Sequence, residues 1–149
     1  VPKPRYLCGA MQTTDFICHP TDWLDWAREH QAALLGPVAI VGDMGAGKTT
    51  AVKHWLQALG SPDAGSSPTF TLIQPYDSPL GVIYHADFYR LEDVAEAETL
   101  GLDEIFDSGQ PMWMEWPQKI TNLLPEEMAV LRIDVQADGC RKVTLETKS

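Results

Sequence analysis

The sequence predicts an α/β domain, three layers deep, built on a mixed parallel/antiparallel sheet. Three observations lead there. Val38-Ala39-Ile40-Val41 is a short, wholly apolar run of the kind that forms a strand buried on both faces. A glycine-rich turn follows it, and then a segment with helical apolar spacing. Elsewhere, paired strand-like segments flank turn residues, so hairpins add antiparallel edges to a parallel centre. The turn itself, Gly42-Asp43-Met44-Gly45-Ala46-Gly47-Lys48-Thr49, fits G-x-x-x-x-G-K-[ST], and the class narrows to the three-layer P-loop NTPase fold.

The elements follow in order. Val1 to Ala10 shows no periodicity, and Met11 is a candidate natural start. Residues 1–12 are therefore set apart as an extension or cloning remnant, and 13–149 form a single P-loop domain. Thr13 to Cys18 makes a short strand. Pro20-Thr21-Asp22 opens a helix, with Thr21 or Asp22 as its cap, and Trp23, Trp26, Ala27 and Leu34 give it an apolar face. Gly36-Pro37 ends it before the apolar strand. After the loop, Ala51, Val52, Trp55, Leu56 and Leu59 recur at helical spacing, and Gly60 stops that helix. A loop rich in Gly, Ser and Pro runs from Ser61 to Pro68. Thr69 to Tyr76 and Val82 to Tyr89 form a hairpin around Asp77 to Gly81. Glu92 to Leu100 is helical, Leu102 to Phe106 adds a turn, and Pro111 to Trp116 is a second short apolar strand. Met128 to Val135 and Lys142 to Glu146 pair around Asp138-Gly139.

Composition sets limits on function. The chain has 149 residues, 44% hydrophobic and 21% charged, enough for one good core. No apolar stretch approaches the roughly 18 residues of a membrane span, and no charged-then-apolar signal pattern opens the chain, so a cytoplasmic location is expected. The net charge is −10 with 11 Lys and Arg, which argues against direct, tight binding to a nucleic-acid backbone. Cys8, Cys18 and Cys140 form no C-x-x-C, so reduced thiols are expected and neither a zinc site nor a disulfide.

The loop carries the chemistry. Its glycines let successive N–H groups curl toward one point, and the helix that follows adds the positive end of its dipole. Asp43, Met44, Gly45, Ala46, Gly47, Lys48, Thr49 and Thr50 are thus the candidate nucleotide-binding set. Lys48 is placed to reach the β- and γ-phosphates, and the Thr49 hydroxyl to ligate Mg²⁺. Thr50, already inside the helix, is more a structural member than a ligand. Such a site also needs a carboxylate at the end of an apolar strand. Asp87 closes Val82 to Ala86, and Glu115 closes Met112-Trp113-Met114; spacing alone does not separate their roles. His85 has the character of a packed histidine rather than a catalytic one. Thr69, in Ser67-Pro68-Thr69-Phe70, is a candidate γ-phosphate sensor. The Asn-Lys-x-Asp signature of guanine-specific proteins is missing, which favours adenine.

Set in order, the P-loop through Thr50, Ser67-Pro68-Thr69-Phe70, His85-Ala86-Asp87-Phe88-Tyr89-Arg90-Leu91, Gly101-Leu102 and Glu115-Trp116 resemble the bacterial TsaE (formerly YjeE) ATPase family over roughly Ala39 to Lys119. H-x-D-x-Y-R is the most specific part, because generic P-loop proteins lack it. The resemblance implies a Mg-ATP hydrolase that works with TsaB and TsaD. That complex installs threonylcarbamoyl on the adenosine beside the anticodon of tRNAs reading codons that start with A. In this picture tRNA is met only through the complex, a separate enzyme makes the activated donor, and hydrolysis resets the transferase without performing the transfer. By position, Lys48 and Thr49 bind phosphate and Mg²⁺, Glu115 completes the metal site, Asp87 serves hydrolysis, Thr69 is the switch residue and Trp116 follows the metal acid. The family places N-terminal residues near adenine, a region hard to align here. Arg132 and Arg141 are candidate late contacts to nucleotide or partner.

Two other classes share a P-loop of this size. A small-molecule kinase usually deploys several arginines in a lid, and this chain has five Arg in all and no Arg-rich segment. A nucleotide sensor without useful turnover differs from a partner-dependent ATPase only when assayed with partners.

Overall fold

The structure, a computed structural model, describes residues 11–63 and 72–147. The chain begins with β1 (Met11–Ile17), α1 (Asp22–Glu29), α2 (Gln31–Leu34) and β2 (Pro37–Val41). Then come α3 (Lys48–Ala58) and the hairpin β3 (Ile73–Ser78) and β4 (Gly81–Asp87). Helices α4 (Val94–Glu98) and α5 (Leu102–Asp107) lead to β5 (Met112–Glu115) and a 3₁₀ segment, Pro117–Leu123. β6 (Ala129–Val135) and β7 (Arg141–Thr147) close the described chain. The strands form one sheet in the order β1-β7-β6-β2-β5-β4-β3.

The mixed sheet follows from where the apolar residues lie. β2 pairs in parallel with β5 on one side and β6 on the other, and β4 pairs in parallel with β5. Val38, Ala39 and Ile40 are all buried, as a strand covered on both faces requires. The other pairings, β1–β7, β6–β7 and β3–β4, are antiparallel. Ser78 pairs with Gly81 across a two-residue turn, with Gly81 at φ 108°. Pro75 lies on the outermost strand β3, where its missing N–H costs least.

A separate core fills each side of the sheet. On one, α1 and α3 pack their indoles together: Trp55 lies 5.6 Å from Trp23, 5.5 Å from Trp26 and 5.4 Å from Trp113. Trp113 also donates from its ring N–H to the Leu34 carbonyl at 2.8 Å, which fastens α2 to β5. On the other side, Met112, Met114 and Phe88 pack with Ala97, Leu102 and Ile120 from the later helical segments. Sheet and two helical layers make the three-layer α/β fold.

The structure corrects several sequence expectations. The single helix expected up to Gly36 is two helices, divided at His30, whose backbone leaves the helix at φ −110°, ψ 24°. His30 is held there by its ring contact with Trp26 and by Nε2 at 3.3 Å from Asp15 on β1. Neither candidate cap acts as one. Thr21 is itself helical, and Asp22 accepts from the N–H groups of Cys18 and His19 at 3.1 and 3.0 Å, closing the turn out of β1. The helix expected over Glu92 to Leu100 is only Val94–Glu98, because Asp93 caps it by accepting from Glu96 N–H at 2.9 Å.

Cys18 and Cys140 are joined by a disulfide, against the expectation of free thiols. The ladder explains it. Ile17 pairs with Arg141 at the end of β1–β7, so the next residues outward, 18 and 140, face each other with Cα atoms 4.1 Å apart. Cys18 is exposed and Cys140 partly so, which leaves the bond open to small thiols. The bond links positions separated by 122 residues. Cys140→Ser is expected to lower stability of the oxidised protein by about 2–5 kcal/mol. Urea unfolding with and without dithiothreitol checks this: the reductant should shift the wild-type midpoint and leave the variant's unchanged.

Candidate functional site

The C-terminal ends of β2, β4 and β5 lie side by side, and the site is built there. Register sets it: Ile40 pairs with Glu115, and Asp87 pairs with Glu115 from the other side. This is the position where open parallel sheets offer loops and strand-end side chains to a ligand.

The loop from Gly42 to Gly47 leaves β2 and enters α3. Gly45 at φ 81° and Gly47 at φ 101° take backbone conformations that other residues rarely adopt. Gly42 is needed for a different reason. A Cβ there would stand 3.0 Å from the Ile133 carbonyl oxygen and 3.1 Å from the Ala46 Cβ, so the loop rests directly against β6. Arg141, from β7, supports it from outside by donating from Nε to the Ala46 carbonyl at 3.3 Å.

Lys48, the first residue of α3, is buried. Its ammonium donates to the carbonyls of Gly42 at 2.5 Å and Asp43 at 3.2 Å, and lies 4.2 Å from the centre of the Trp116 ring. Burial pushes its pKa below the usual lysine value, while the charges of Glu115, Asp87 and Asp43 act in the opposite direction. Trp116 reaches this place because its backbone is left-handed, with φ 56°, the one non-glycine among the described residues with positive φ. Its ring is also stacked obliquely on Tyr89, at 5.0 Å.

Thr49 Oγ1 lies 3.1 Å from each carboxylate oxygen of Glu115. Glu115 is 3% exposed, and its Oε2 is also 2.6 Å from Nε2 of His85. Asp87 is two residues beyond His85 on the same face of β4, half-buried, and accepts from the Tyr89 N–H at 3.0 Å. A hydroxyl beside a carboxylate is a hard oxygen donor set. It suits Mg²⁺, which takes few protein ligands and leaves its other positions to phosphate and water. Among the described residues no cluster of three or more His, Cys, Asp or Glu forms a self-sufficient metal cage.

The structure thus brings Lys48, Thr49, Asp87, Glu115 and Trp116 around one open cavity of about 400 Å³, with Met44, Gly45, Gly47 and Thr50 on its wall. The carbonyl of Asp43 and the buried Ala46 complete the loop behind it. Thr69 lies outside the described residues. Of the two late arginines, Arg141 lines the cavity, whereas Arg132 stands 3.9 Å from Glu146. A second cavity of about 120 Å³, walled by Cys18, Pro20 and Trp23, shares Gly47, Thr50 and Arg141 with the first. Sequence reasoning gave His85 only a packing role. The signals that could have raised it were its place two residues before Asp87 and its position at the head of the H-x-D-x-Y-R motif.

The chain is similar to known proteins over most of its length. Residues 18–143 match the family model of the threonylcarbamoyl adenosine biosynthesis protein TsaE. The chain is 40% identical over 107 residues to a tRNA threonylcarbamoyladenosine biosynthesis protein TsaE of Bacillus subtilis, covering 72% of this chain and 66% of that protein. It is 39% identical over 102 residues to the protein of the same name from Haemophilus influenzae, covering 68% of this chain and 65% of the relative. The match therefore spans just under two thirds of the length of both relatives. Among solved structures, Bacillus subtilis YdiB superposes with a TM-score of 0.74 at 29% identity, covering 94% of this chain and 88% of YdiB.

Gly42→Ala tests whether the loop depends on its contact with β6. The added methyl meets main chain, which cannot rotate away, so a stability loss of about 1–3 kcal/mol is expected together with weaker ADP binding. Urea titration and calorimetric ADP titration of the same preparation check both effects.

Proposed function

The chain belongs to the TsaE family, and on that basis we propose that it is an ATPase subunit serving threonylcarbamoylation of tRNA in concert with TsaB and TsaD. The observation that carries the ATPase part is the convergence of the P-loop, the Thr49 hydroxyl and the buried Glu115 carboxylate at one strand end. The names of the relatives carry the pathway. The strongly acidic composition supports a subunit that leaves tRNA to its partners.

The residues divide the work as follows. Main-chain N–H groups of the loop and the start of α3 receive the β-phosphate. Lys48 moves from the Gly42 and Asp43 carbonyls to the β- and γ-phosphate oxygens. Thr49 and Glu115 hold the metal; when bound, Mg²⁺ neutralises charge on the phosphate oxygens. Asp87, on the neighbouring strand, orients the attacking water and accepts its proton. Water adds to the γ-phosphorus as the bond to the β-bridging oxygen breaks, giving ADP and inorganic phosphate. The smaller cavity, which shares Gly47, Thr50 and Arg141 with the phosphate site, receives the adenosine end.

Purified chain mixed with a matching TsaB–TsaD pair should hydrolyse ATP to ADP and phosphate, with no phosphorylated acceptor, and Lys48→Ala should abolish the gain. Equal rates for wild type and Lys48→Ala would overturn the ATPase reading. Asp87→Ala should slow hydrolysis about 100-fold or more while ADP affinity changes little. Glu115→Ala should instead weaken binding only when Mg²⁺ is present. Single-turnover kinetics and nucleotide titrations separate the two acids.

A further inference from the structure

We infer that His85 is a positioning residue that holds the Glu115 carboxylate in its metal-binding orientation, so that Mg²⁺ affinity depends on the imidazole. The proposal rests on the reading of Glu115 as the metal acid.

The geometry is specific. His85 and Glu115 side chains are each 3% exposed, and Nε2 lies 2.6 Å from Oε2. That is a short contact, as expected when a ring N–H donates to a charged oxygen. The Thr49 hydroxyl is equidistant from both carboxylate oxygens at 3.1 Å, so by itself it does not select one rotamer of the carboxylate. The imidazole does, because it touches Oε2 alone among the two oxygens. It reaches from the next strand, fixed by the β4–β5 register in which His85 pairs with Trp113 and Asp87 with Glu115. Ile83 and Trp113 are buried in the core on one face of the sheet and Ala86 in the core on the other, and this packing holds β4 in that register. Outer partners of this kind orient a metal-ligating carboxylate and set its affinity without touching the ion. They also spare the carboxylate the cost of being buried with an unfilled lone pair before the metal arrives.

Two amide substitutions separate positioning from mere filling of space. In His85→Gln the side-chain amide nitrogen falls near the place of Nε2, and in His85→Asn it falls one atom short, near Nδ1. Both are polar and compact, so a role in packing alone would be damaged by both. Binding of a fluorescent ADP analogue is followed while Mg²⁺ is titrated, alongside Glu115→Gln and with thermal melting of every variant.

His85→Asn should raise the half-saturating Mg²⁺ concentration about tenfold or more, with a much smaller change in metal-free ADP affinity, and His85→Gln should restore most of the loss. An unshifted Mg²⁺ requirement in His85→Asn, with Glu115→Gln shifted, would overturn the positioning role and leave the metal acid standing. Equal losses in the Asn and Gln variants would overturn it as well, in favour of packing. An unshifted requirement in Glu115→Gln would remove the metal acid and this proposal together.

Discussion

A carboxylate buried at the end of a central strand governs the layout of this molecule. Moving a charge out of water costs several kcal/mol unless hydrogen-bonding groups replace the water. Glu115 has two such groups, and neither comes from its own strand: Thr49 stands at the start of α3 and His85 on β4. Both must arrive in register. β4 must run parallel to β5 and align residue for residue, and β2 must deliver the loop at the same level on the other side. The order of the inner strands, the direction of their pairing and the entry of α3 are therefore parts of one requirement.

The two cores keep that register. The indole cluster under α1 and α3 is rigid and large, and Trp113 joins it directly from β5. The opposite face is filled by methionines and Phe88, which adapt to shorter, less regular helices. Rigid packing thus lies beneath the helix that begins at the phosphate loop, and adaptable packing beneath the segments leading to Trp116. The antiparallel strands outside contribute Arg141 to the larger cavity, and Ile17 and Arg141 to the smaller one.

Local patterns were legible in the sequence and long-range pairings were not. The apolar run of β2, the P-loop, the helix after it and the hairpin at Pro79-Leu80 all announce themselves within a few residues of chain. The strand-end positions of Asp87 and Glu115 were equally visible. Most of what failed depended on partners contributed by other elements. The strands that end beside Cys18 and Cys140 were each recognisable, but their mutual register was not, and so neither was the disulfide. His30 breaks its helix because of Asp15 on another element, and Asp22 forgoes capping because the turn from β1 claims its carboxylate. His85 was undervalued for the same reason: its importance is a contact with a residue 30 positions later.

Lys48 adds a kinetic consequence. Both of its hydrogen-bond acceptors are neutral main-chain carbonyls, and its third neighbour is an aromatic face. Under the proposed ATPase function, an arriving polyphosphate would displace these dipoles with no Lys48 ion pair to break among the described residues. Once a terminal phosphate left, the ammonium would have its two carbonyls to return to, and its hold on the remaining nucleotide would loosen. On that reading, the residence time of an occupant would be graded by how many phosphates it carries, an internal clock set by a lysine that rests on main chain.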